Sequence, residues 1–114
     1  MMRLLLIPQE HALLVNSTGA QNVAVGASSL DANTTGGNNT SVGTGSLGAN
    51  TTGATNTAVG HTALTSNTTG DFNVAVGAYS LDANTDADSS TALGYSALGA
   101  STGATNTAVG YAAL

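Results

Sequence analysis

A 17-residue period governs this 114-residue chain from Asn16 onward, and it limits the fold more than any composition could. Read in blocks, the sequence runs NSTGAQNVAVGASSLDA, NTTGGNNTSVGTGSLGA, NTTGATNTAVGHTALTS, NTTGDFNVAVGAYSLDA, NTDADSSTALGYSALGA and STGATNTAVGYAAL. A glycine recurs at Gly26, Gly43, Gly60, Gly77, Gly94 and Gly110. An apolar residue precedes each one, at Val25, Val42, Val59, Val76, Leu93 and Val109. A leucine follows each, at Leu30, Leu47, Leu64, Leu81, Leu98 and Leu114. Self-similarity at a short fixed period marks a solenoid, in which a repeat buries its apolar side only against its neighbours.

The block is not helical. It is rich in Gly, Val, Thr and Asn, all poor helix formers. It reads as two short strands per coil: one around Asn56-Thr57-Ala58-Val59, the other through Ala63 and Leu64. Gly60 frees the backbone to turn a corner between them, and Asn67-Thr68-Thr69-Gly70 closes the coil. The expected fold is all-β, a β-solenoid (β-roll) of about six 17-residue coils. At one strand spacing per coil the rod would be roughly 29 Å long. The repeat domain spans 16–114, and 1–15 reads as an irregular cap or docking segment. Leu13, one period before Leu30, already occupies the leucine column. The apolar run Leu4 to Ile7 is broken by Pro8, too short for a secretion signal.

Charge is sparse. Arg3 is the only basic residue against six acidic ones, so the chain lacks the cations that phosphate neutralisation needs, and nucleic acid is excluded as a partner. No apolar stretch is long enough for a membrane span. There is no cysteine. The histidines His11 and His61 stand coils apart with no recurrent acid beside either, so no general base with an orienting partner is assembled, and the expectation is a non-enzyme with no cofactor. Asp82, Asp86 and Asp88 lack the Asp-bearing nonapeptide of calcium-binding rolls and read as a solvated turn, with no metal.

The columns carry more information than the rows. Val25 and its column, with the leucines, are expected to fill the coil interior. Strand alternation then turns the small column Ala24, Ser41, Ala58, Ala75, Ala92 and Ala108 outward. Either another chain approaches closely there, or the column packs within a narrow coil. Asparagines form two columns. Asn16, Asn33, Asn50, Asn67 and Asn84 suit turns. Asn22, Asn39, Asn56, Asn73 and Asn106 fall within a strand, where Asn is disfavoured, and are expected to form the side-chain amide ladder. Thr34, Thr51, Thr68 and Thr85, next to a second threonine column, raise an ice-binding reading, but turn chemistry is the simpler cause. Acceptor sequons occur at Asn16, Asn33, Asn38, Asn39, Asn50 and Asn67. Variable positions after the glycines place His61, Tyr95 and Tyr111, with Tyr79 one residue further on, as the candidate surface contacts, for surface glycans among others.

The core NTAVG, at Asn56 to Gly60 and Asn106 to Gly110, resembles the head repeats of trimeric autotransporter adhesins and related repeats of phage and bacterial fibres. That resemblance implies a β-roll, a fibrous habit, association of chains, and an extracellular, cell-surface or virion-surface location. The period here is longer than in those heads. The expected function is therefore a non-enzymatic structural repeat that builds an extracellular fibre with copies of itself. An adhesin head or fibre-tip binding module is the alternative, and an ice-binding rod a further one. The regular final coil at Leu114 and the leucine-rich first 15 residues suggest head-to-tail stacking between copies.

Overall fold

The computed structural model describes residues 12–114; the rest of the expected N-terminal segment, with His11, lies outside them. The chain is an all-β solenoid. Its strands are β1 (Val23–Val25), β2 (Thr40–Val42), β3 (Thr57–Val59), β4 (Val74–Val76), β5 (Thr91–Leu93) and β6 (Thr107–Val109). They form one parallel sheet in sequence order, with Val23 opposite Thr40 and so on up the stack. Successive rungs are 17 residues apart, except that Thr91 pairs with Thr107, a step of 16. The molecule measures 35 × 24 × 16 Å.

Each coil holds one three-residue strand, not two. The expected second strand is a turn, because Leu64 has φ 52° and Thr62 φ 54°, both left-handed. The same conformation recurs at Leu13, Leu30, Leu47, Leu81 and Leu98 of the leucine column and in the column Gln21, Asn38, Thr55, Phe72, Ser89 and Thr105. Left-handed backbone costs a side-chain-bearing residue about 1–2 kcal/mol. Bonds to neighbouring coils hold it there: Leu47 donates its N–H to Ala63 O (3.0 Å) and Thr55 to Gly37 O (2.9 Å). At Gly60 a side chain is impossible for two reasons. Its φ is 135°, and a Cβ would stand 2.6 Å from the carbonyl carbon of Gly77 in the next coil.

The interior is the reverse of what residue size suggests. Ala24, Ala58, Ala75 and Ala92 are fully buried, with Ser41 in the same column. Val25, Val42 and Val76 are only partly covered, and Val59 (36 % exposed), Leu93 (48 %) and Val109 (67 %) face outward. The coil is too thin for large side chains from both walls. Leu30, Leu47, Leu64 and Leu81 enter fully buried from the turn side, so the strand opposite can contribute only Ala or Ser. Each such leucine contributes about 1.5–3 kcal/mol by burial. The small column is thus explained by packing within one chain. Leu13 joins the leucine column as expected, buried and donating its N–H to Ser29 O. Leu114, expected in the interior, is instead 90 % exposed.

Candidate interaction surface

Polar side chains in the interior point along the stack. The amide-to-amide ladder lies in the turn column, not in the column beside the strand: Asn50 Nδ2 donates to Asn33 Oδ1 (2.8 Å), Asn67 to Asn50 (2.8 Å) and Asn84 to Asn67 (2.9 Å). The second hydrogen of Asn50 goes to Gly53 O of its own coil (2.9 Å). The column of Asn22, Asn39, Asn56 and Asn73 bonds to backbone instead, apart from a longer donation from Asn22 Nδ2 to Asn16 Oδ1 (3.4 Å). Asn56 Oδ1 accepts the N–H of Asn73 (2.9 Å), and Asn56 Nδ2 donates to Gly70 O (2.8 Å). These asparagines precede their strands rather than lying inside them, so the amide replaces a rung that the turning backbone cannot make. Both columns converge on one line of carbonyls, at Gly36, Gly53, Gly70 and Ala87.

The pattern weakens at the short step. Ser101 stands where the turn column requires Asn, and Asn84 Oδ1 is buried without a partner. Ser90 replaces the other Asn, and its hydroxyl imitates an amide at longer range, accepting from Asn106 N (3.2 Å) and donating to Gly103 O (3.4 Å). Asn106, placed in the ladder by sequence, bonds instead to Ser101 Oγ and Gly103 O.

Turn chemistry accounts for one threonine column. Thr34, Thr51 and Thr68 each donate a hydroxyl to the carbonyl of the threonine one coil on (3.1–3.2 Å). Burial also sorts the sequons. Asn33, Asn39, Asn50 and Asn67 are fully buried with their amides bonded, whereas Asn38 is exposed. Asp88 Oδ1 accepts the N–H of Asp71 (2.7 Å), and Asp71 Oδ1 that of Ala54 (2.8 Å), so these carboxylates serve neighbouring backbone. Burial raises the Asp82 carboxyl above its ordinary value, against a smaller opposing backbone hydrogen bond.

Two features were hidden in the sequence. Ser29, Ser41 and Ser46 form a buried hydroxyl chain: Ser29 Oγ donates to Ser41 Oγ (2.8 Å), Ser41 to Ser46 O (2.8 Å) and Ser46 to Gly43 O (2.8 Å). Only the serine at an otherwise alanine position hinted at it. The second feature is outward-facing. His61, Tyr79, Tyr95 and Tyr111, separate candidates in the sequence, meet as one aromatic ladder on the rod's flank. Ring centroids lie 5.5, 5.6 and 5.4 Å apart in turn. The first two contacts are edge-on, and Tyr95 and Tyr111 stack with planes 9° apart.

Among the described residues there is no pocket, no group of three side chains able to hold a metal, and no helix long and apolar enough to cross a membrane. The surface presents two features: an uncharged sheet face of Val and Thr, and the aromatic flank. Comparison with known protein families, curated proteins and solved structures gave no match.

Proposed function

We propose that this chain is a non-enzymatic structural segment of an extracellular, cell-surface or virion-surface fibre, extended by coil stacking and by association of copies. One observation carries the reading: the interior polar columns are bonded from coil to coil along the stack. Such a unit is stabilised by more of itself, and its stability grows with the number of stacked neighbours. Electron microscopy and sedimentation over rising concentration test it. Rods or filaments longer than the 35 Å unit are expected. A particle that keeps its own length at every concentration would sink the fibre reading.

The aromatic flank favours a second reading, a binding module that recognises surface glycans. Tyrosine offers stacking area together with a hydroxyl. Glycan-array binding by the discrete particle, lost in Tyr95→Ala, would establish that reading instead.

A further inference from the structure

The geometry points to Tyr95 and Tyr111 as an oxidative cross-linking site: we propose that one-electron oxidation joins them into an intrachain dityrosine that staples the fifth and sixth rungs. The two rings belong to successive coils, face each other nearly in parallel, and have centroids 5.4 Å apart. Both are open to solvent, at 49 % and 80 % exposure, so a large oxidant can reach them. Among the described residues neither phenol hydroxyl has a protein partner. The other ring contacts along the flank are edge-on, at 81° and 69°, which leaves Tyr79 poorly aligned for coupling with Tyr95.

The location supports the chemistry. Between these same rungs the step shortens to 16 residues and the asparagine ladder stops, leaving Asn84 Oδ1 without a donor. A covalent bond here would join the two coils whose polar connection is weakest.

The oxidant class is a haem peroxidase acting with hydrogen peroxide. Each phenol loses one electron and one proton, giving two phenoxyl radicals. The radicals combine through the ring carbons ortho to oxygen, and both rings regain aromaticity by moving the ortho hydrogen to oxygen. Overall, two tyrosines and one peroxide give one dityrosine and two waters. Backbone and fold are unchanged, because the rings already lie on adjacent levels.

The test treats the dilute intact chain with horseradish peroxidase and peroxide, followed by dityrosine fluorescence, gel mobility and peptide mass mapping. The expected product is a monomer whose Tyr95 and Tyr111 peptides are linked, two hydrogens lighter than their sum. Hydrogen exchange at Thr107–Val109 should slow after oxidation. Tyr111→Phe should lose the intrachain fluorescence while keeping the β circular dichroism signal, and Tyr79→Phe should retain both. Covalent dimers as the main product, a Tyr79–Tyr95 link, or intrachain fluorescence persisting in Tyr111→Phe would each overturn the proposal.

Discussion

Ala58 and Val59 are adjacent on β3, yet the alanine is fully buried and the valine stands at the surface. The opposite wall explains the inversion, since Ala58 shares one thin core with the fully buried Leu64 and the strand column there holds only Ala and Ser. Leu64→Ala should therefore cost about 2–5 kcal/mol, as for other emptied core leucines. Val59→Ser should cost under about 1 kcal/mol, in keeping with a surface position. Thermal and urea melts of the two variants measure the difference. Equal losses would mean that the strand faces are wrongly assigned.

Asn56 links three coils through its side chain and its own N–H. In Asn56→Ala the N–H of Asn73 stays buried with no acceptor, and such an orphan costs about 1–3 kcal/mol. Hydrogen exchange should show the protection of the Asn73 amide falling first.

The short step can be repaired. Ser101→Asn would return a donor to Asn84 Oδ1 and should raise stability by about 1 kcal/mol, the usual net worth of a buried hydrogen bond. A melting temperature equal to or below that of the parent would count against the ladder as an energetic unit.

Expression in a host that glycosylates asparagine should place sugar on folded protein at Asn38, whose side chain is exposed. A glycan at Asn39, Asn50 or Asn67 would displace an interior amide bond and exclude the molecule from the folded fraction. Mass mapping of secreted, protease-resistant material reads this directly, and Asn38→Gln should remove the signal.

Asp82 gives a pH dependence of defined sign. Burial lifts its carboxyl in the folded chain above the ordinary 3.8, so the native state holds the proton more tightly than the unfolded state. The resulting stabilisation is complete below 3.8 and disappears as pH rises through the folded value. Asp82→Asn should melt slightly above the parent at neutral pH, and the gap should close on acidification below 3.8. A gap that widens in acid would contradict the sign.

The period was enough to read the solenoid, the leucine column and the strained glycines, because each depends on what recurs. Leu13 could even be placed by counting back from Leu30. Alternation established that Ala24 and Val25 face opposite ways, but not which of them faces in. That depends on coil thickness, which is set by leucines several residues away. The sequence pattern points to the wrong column for the amide ladder because it places Asn22 and its equivalents inside strands, whereas they sit just before them. Tyr79 was out of reach in another way. It lies one position off the column of His61 and Tyr95, and its left-handed backbone (φ 61°) accompanies the ring's meeting with both.

A stack of near-identical coils has an ambiguity that ordinary folds lack: sliding one part of the chain by a whole repeat restores almost every contact. The asparagine columns cannot prevent this, since they look alike on most rungs. The hydroxyl chain of Ser29, Ser41 and Ser46 opposes it. Ser41 is the sole serine in the buried strand column, and its hydroxyl lies between those of Ser29 and Ser46, accepting from Ser29 Oγ and donating to Ser46 O. Moved one coil along, it would face Ala63, which offers a backbone carbonyl but no hydroxyl, so its contact with the Oγ of its own coil would be lost. These three serines thus favour one register over its neighbours.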